Sequence, residues 1–249
     1  MRPQFLSKLD FDSLWNHAGD WFEPPNQHRQ GWSGVSRIPL EVTNTSSPVY
    51  AFLKRQHNFM RKTWLHPWRG VSTFYCEHQN LLRLSRHGIP VPTPLFFSEK
   101  KEGGDVSAVL LTAELVDHVP LDQVIHQVFS EDGSRAKQRK LIASIARTIR
   151  QLHRARFQHR ALYPKHIFVR EMPQENFESV LIDLEKARIK LLPVMCTLSD
   201  LATLNRDLMH LSRSTRLYFL KQYYGVNKLN TRLKWIARKI QARSDRKKK

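Results

Sequence analysis

The side chains best placed to do chemistry are His159 and Arg160, His166 seven residues beyond the first, and Asp183, which follows the apolar run Val180-Leu181-Ile182. A carboxylate closing a buried strand is poised for Mg2+, a cation that prefers oxygen ligands. An isolated strand-end Asp also serves as a cap or turn residue, but its place a short hairpin after the His159 loop favours the metal. His166 is an imperfect Mg2+ ligand, because imidazole suits softer metals, and it can instead donate a hydrogen bond. His159 and Arg160 can buttress the loop. Gly31 and Gly34 form a candidate glycine turn, where small residues let backbone N–H groups approach phosphate oxygens; an ordinary β-turn uses the same residues. Glu114 and Val116 follow a predicted strand, and backbone groups there can read adenine or form a plain linker. Phosphoryl transfer fits such a set, since it needs phosphates held, a metal placed and an acceptor aligned.

The loop His159-Arg160-Ala161-Leu162-Tyr163-Pro164-Lys165-His166 is similar to the kinase form H-R-D-x-x-x-x-N, with Ala161 at the Asp place and His166 at the Asn place. Lys54, ending Ala51-Phe52-Leu53-Lys54, resembles the strand lysine of kinases that contacts phosphates, and Glu77 is its natural helix partner. Alone, the two also read as a solvated lysine and a surface glutamate. Their order along the chain is the specific signal: glycine turn, strand Lys, helix Glu, hinge, His-Arg loop, strand Asp.

Further segments carry a closer resemblance: Gly31–Arg37, Phe52–Gln56, Thr63–Pro67, Thr73–Arg83, His87–Pro90, Leu162–Phe168 and Ile182–Leu184. With them the chain resembles the lipopolysaccharide kinase (Kdo/WaaP) family, especially its InaA branch, from about residue 20 to 225. The resemblance implies an α+β, protein-kinase-like bilobal fold, with a β-rich N-lobe and a mainly α-helical C-lobe. It implies ATP and Mg2+ as cofactors, Lys54 and Asp183 as nucleotide and metal residues, and sugar of the lipopolysaccharide inner core as acceptor. His166 in the Asn place is similar to what that family shows. Ala161 departs from it, and a methyl group accepts no proton; loss of a general base costs roughly 10²–10⁴-fold. Three outcomes stay open. The enzyme is slow; His159 or Glu185 substitutes, the latter if the Asp183 strand persists; or the chain is a nucleotide-binding pseudokinase that acts through partners, as in a stress response.

These residues need elements to position them. Val49–Lys54 and Val106–Thr112 read as strands, the second after a Gly103-Gly104-Asp105 turn. Thr73–His87 reads as a helix stopped by Gly88. Leu141, Ile145, Ile149 and Leu152 mark an amphipathic helix leading into the His159 loop. Ile167–Val169 and Val180–Ile182 form a strand pair, and residues 199–224 are helical. The domains follow as an N-terminal extension at 1–30, an N-lobe at 31–116, a C-lobe at 117–227, and a basic C-terminal helix and tail at 228–249.

The 249 residues carry a formal charge of +19. Such a chain seeks polyanions: a phosphorylated glycolipid, an anionic inner-membrane face, or nucleic acid, for which no recognised module is present. Residues 228–249 hold ten basic side chains against Asp245 alone. Leu229, Leu233, Ile236 and Ile240 form one stripe of that helix, which either lies on an anionic leaflet or docks on the body. Arg55, Arg61, Lys62 and Arg69, interleaved with Trp64 and Trp68, form a second basic edge suited to phosphate and sugar, or a packed loop with a solvated rim. Two cysteines, no apolar run of about 18 residues and no secretory leader predict a cytoplasmic protein, with peripheral association with the inner membrane as an option.

Overall fold

The computed structural model describes residues 9–28, 31–40, 48–63, 66–68, 70–130 and 133–246. The chain divides into two compact units, Met1–Arg83 with Pro92–Val116, and Leu84–Val91 with Asp117–Lys249.

The first unit is built on a five-stranded antiparallel sheet. A short helix α1 (Phe11–Trp15) precedes β1 (Trp21–His28), β2 (Gly31–Leu40) and β3 (Val49–His57). Two brief pieces, β4 (Met60–Arg61) and β5 (Val71–Ser72), lead to α2 (Thr73–Arg86), followed by β6 (Pro94–Glu102) and β7 (Asp105–Ala113). The sheet order is β1-β2-β3-β7-β6. Alternation along β3 sends Ala51 and Leu53 into a core with Leu14, Ile38, Val109 and Leu111. Lys54 therefore faces the other side. Residues 21–28, expected in an N-terminal extension, instead form β1. Pro24 and Pro25 hid it, but an edge strand tolerates prolines, and the β1–β2 register shifts at that point.

Helix α2 ends as Gly88 adopts a φ of +66° and the Ile89 N–H bonds the Leu84 carbonyl at 3.0 Å.

The second unit is mainly helical. It contains β8 (Val119–Pro120), α3 (Leu121–Val128), α4 (Arg135–Arg154), β9 (Phe157–Gln158), β10 (Ile167–Met172) and β11 (Asn176–Leu181). β12 (Arg188–Ile189), α5 (Pro193–Asp207), α6 (Arg213–Tyr224) and α7 (Thr231–Arg246) follow. Helix α4 buries Leu141, Ile145, Ile149 and Leu152 on one stripe. It meets the β10–β11 hairpin through Ser144 and Thr148, whose hydroxyls bond that of Ser179 at 3.0 and 2.8 Å. The helical region 199–224 is two helices, because Ser212 caps a new one by accepting from the Thr215 N–H at 3.1 Å. Helix α7 is docked rather than free. Ile236 and Ile240 are buried, and the Ser244 hydroxyl donates to the Ala202 carbonyl on α5 at 3.0 Å. Its apolar stripe is thus used inside the protein, and the leaflet-bound alternative for it does not hold.

Candidate functional site

In the first unit the structure brings Lys54 and Glu77 together, with Nζ 2.6 Å from Oε1. The side chain that arranges this is Gln56, which the sequence reading passed over. Lys54 and Gln56 lie two residues apart on one face of β3. The Gln56 Oε1 accepts from the Thr73 hydroxyl at 2.7 Å and the Phe74 N–H at 3.2 Å, pinning the first turn of α2. Glu77 is one turn further along that helix and so meets Lys54. Its exposure is only 4%, and a buried carboxylate needs a cation. Lys54→Met should therefore destabilise the protein by about 3 kcal/mol, the low end for breaking a buried pair, because the lysine is partly solvated. Adding Glu77→Gln should recover most of this in urea unfolding; additive losses would show that the pair is not coupled.

The other first-unit candidates are placed differently. Gly31 and Gly34 lie within β2, not in a turn; the β1–β2 connection, residues 29–30, is outside the described residues. Packing explains both glycines. A Cβ on Gly31 would sit 2.6 Å from the Asn58 carbonyl oxygen, and one on Gly34 2.6 Å from the Trp21 ring. Glu114 spends its carboxylate on Arg37, in two bonds of 2.8 and 3.0 Å, and its N–H on the Tyr50 carbonyl. Val116 is exposed beside it. Arg55 does not belong to a basic edge. It is buried, donates to the carbonyls of Trp15 and His17 at 3.0 and 2.8 Å, and stacks on Trp21. Burial pushes its guanidinium below its ordinary value. Trp64 and Arg69 lie outside the described residues, while Lys62 and Trp68 are exposed.

In the second unit one acid organises the loop. Asp200 on α5, 1% exposed, accepts from the backbone N–H groups of His159 and Arg160 at 2.6 and 2.9 Å. It also lies 3.1 Å from Nε2 of His153, whose Nδ1 is 2.8 Å from the Tyr223 hydroxyl. The clue in the sequence was an acid beside Leu201 on a face shared with Cys196 and Leu204. Arg160 is held at a φ of +70° and Asp183 at +56°, a region that ordinary residues avoid.

Asp183 and His166 are neighbours: His166 Nδ1 donates to the Ala161 carbonyl at 2.8 Å and lies 3.3 Å from Asp183 Oδ2. Both neighbours at Nδ1 are acceptors, so the neutral form of the ring carries its proton there and its lone pair on Nε2. Ala161 is buried. His159 has no exposed surface, and its ring nitrogens lack a well-aligned partner, the Ile182 backbone giving only a weak one. It is a packing residue of the loop and cannot stand in for a missing base. Glu185 fails for a different reason. The strand stops at Leu181, residues Leu184–Lys186 turn as a 3-10 helix, and Glu185 pairs with Lys186 at 3.3 Å.

Burial holds the His159 ring below its ordinary value near 6.5. The folded protein keeps it neutral while the unfolded chain takes up a proton, so its contribution is intact above pH 6.5 and fades as the pH falls below. His159→Phe is expected to flatten the acid side of a plot of urea midpoint against pH between about 6.5 and 5; an unchanged slope would place the sensitivity elsewhere.

Among the described residues no group of three or more His, Cys, Asp or Glu side chains is set to hold a metal. One carboxylate suffices for Mg2+, which keeps several waters and takes substrate phosphates as ligands, so Asp183 fits. Neither of two cavities in the second unit is lined by a predicted site residue. One, about 530 Å³, is apolar and bounded by Leu121, Ile125, Leu141, Leu204 and Leu220. The other, about 960 Å³, is lined by Arg135, Arg139, Lys221, Lys228 and Lys234 without a carboxylate.

The chain is similar to known proteins over most of its length. The pattern of the lipopolysaccharide kinase (Kdo/WaaP) family matches residues 12–224. Protein InaA of Escherichia coli K12 is 28% identical over 182 residues, 73% of this chain and 80% of that protein. Lipopolysaccharide core heptose(I) kinase WaaP of Pseudomonas aeruginosa PAO1 is 28% identical over 162 residues, 59% of this chain and 58% of that one. Among solved structures, WaaP in complex with acyl carrier protein superposes with a TM-score of 0.64 at 21% identity, covering 90% of this chain and 89% of that one. The α+β architecture is thus protein-kinase-like and bilobal. A pattern matched from residue 12 to residue 224, on that fold, leaves one conclusion: the chain belongs to the lipopolysaccharide kinase (Kdo/WaaP) family.

Proposed function

We propose that the protein is an ATP-dependent phosphotransferase of the lipopolysaccharide kinase type, acting on sugar of the lipopolysaccharide inner core. The observation that carries this reading is the buried ion pair of Lys54 and Glu77. A glutamate taken out of water to steady a strand lysine is an expensive arrangement for a surface ornament, and an apt one for holding phosphates. Asp183 and Nε2 of His166 would hold Mg2+, which when bound neutralises phosphate charge. The backbone of the Glu114–Val116 segment is the candidate adenine reader; the Glu114 N–H is itself engaged by the Tyr50 carbonyl. The test is phosphate transfer from ATP to delipidated core oligosaccharide, with a thermal shift by ATP and Mg2+ as the binding readout. No shift in the wild-type protein would remove the nucleotide reading altogether.

A second reading is favoured by one observation: the loop carries Ala161 where a proton acceptor belongs. On that reading the protein binds nucleotide without transferring phosphate and acts through partners. Ala161→Asp separates the two. For a slow transferase it should raise the rate by roughly 100-fold or more. It should also lower the unfolding temperature, because position 161 is buried. A folded Ala161→Asp variant with an unchanged rate would support the non-catalytic reading.

A further inference from the structure

Among the described residues, five of the fourteen exposed large apolar side chains fall within one run of seven residues: Ile189, Leu191, Leu192, Val194 and Met195. Leu191 is 87% exposed. Exposed apolar residues scattered singly are ordinary, but a contiguous group marks a contact surface. The run is tied at both ends. Ile189 pairs with Phe157 across β12 and β9, the Lys190 N–H donates to the Arg156 carbonyl at 2.8 Å, and Pro193 opens α5. Cys196, the next residue, is fully buried. The apolar side chains therefore stand on a fixed strap.

Cations flank it. Arg154, Arg156 and Arg188 are exposed and Lys190 is half-buried. None of the four forms an ion pair among the described residues.

We propose that this strap seats the protein on an anionic lipid bilayer. Its leucines, isoleucine, valine and methionine enter the interfacial layer, and its arginines and lysine meet lipid phosphates. The pairing of apolar projections with unpaired cations matches that surface. A second copy of the chain is disfavoured as occupant, since a net charge of +19 repels itself. No described helix is long and apolar enough to cross a membrane. The stripe of α7 is committed to α5. The proposal does not rest on phosphate transfer, since lipid binding needs no nucleotide.

Cosedimentation of the full chain with vesicles tests it. Vesicles of phosphatidylglycerol and phosphatidylethanolamine should retain the wild-type protein, and phosphatidylcholine vesicles should retain at least tenfold less. Leu191→Ser with Leu192→Ser should weaken retention on the anionic vesicles tenfold or more, at an unchanged unfolding temperature. Trp235→Ser, on the exposed side of α7, should bind as the wild type does. Undiminished retention of the double leucine variant would overturn the proposal and leave the strap to a protein partner. Loss with Trp235→Ser alone would move the contact to α7 and overturn it equally.

Discussion

Asp183→Ala is expected to reduce phosphate transfer about a thousandfold, because the charge stabilisation lost with a metal-holding carboxylate is several kcal/mol at 1.36 kcal/mol per tenfold. The same substitution should abolish the Mg2+-dependent part of the thermal shift produced by ATP. It should leave the metal-free part, which on the proposed reading is the share of Lys54. The fold should survive. The Asp183 side chain is 30% exposed and its described ion-pair partner is His166 at 3.3 Å, so alanine leaves no deeply buried charge behind. The left-handed backbone at this position supports the assignment. An L-residue at a φ of +56° is strained by order 1 kcal/mol, and such strain gathers where a side chain must be aimed. Equal residual transfer by wild type and Asp183→Ala would remove Asp183 from the reaction.

Asp200→Ala should cost more in stability than any other single change considered. It would strand the N–H groups of His159 and Arg160 and one nitrogen of His153, all at a site 1% exposed. Each orphaned buried donor costs about 1–3 kcal/mol, and removing one member of a buried charged network about 3–5 kcal/mol in total. Urea unfolding should show that loss, with a fall in unfolding temperature of about 10 °C. Asp200→Asn should be intermediate, because its amide accepts at one oxygen while the native carboxylate accepts at two. The backbone of Arg160 should relax as well, since a φ of +70° persists only while something holds it. Both variants within about 1 kcal/mol of wild type would show that the loop is held elsewhere.

Much of this scaffold was legible in the residues. The stretch from Val49 to Lys54 announced β3 by its β-branched and aromatic content, Gly88 announced the end of α2, and the spacing of Leu141, Ile145, Ile149 and Leu152 announced α4. These signals are local. What stayed hidden depends on contacts distant along the chain. Gln56 places Glu77 through residues seventeen and eighteen positions away. Asp200 grips a loop forty residues upstream; its place on a face with Cys196 and Leu204 hints at burial but not at what it holds. The glycines of β2 failed as a turn because their small size serves the approach of the Asn58 carbonyl and the Trp21 ring. Arg55 looked like part of a charged rim. Alternation along β3 turns it to the face where Trp15 and His17 wait, a result of register that composition does not carry.

Among the described residues β1 and β6 are the outer strands of the first unit's five-stranded sheet, and the chain treats both margins as hazards. β1 carries Pro24 and Pro25, which present no N–H to an incoming strand, and an irregular register that bends the margin. At the opposite margin β6 runs through Glu99, Lys100, Lys101 and Glu102, where a docking strand would have to desolvate four charges. A sheet closed off in this way resists growth into fibrils and should remain dispersed when the protein is concentrated. Replacing both prolines with valine would open the first margin to self-templating without touching the Lys54–Glu77 pair.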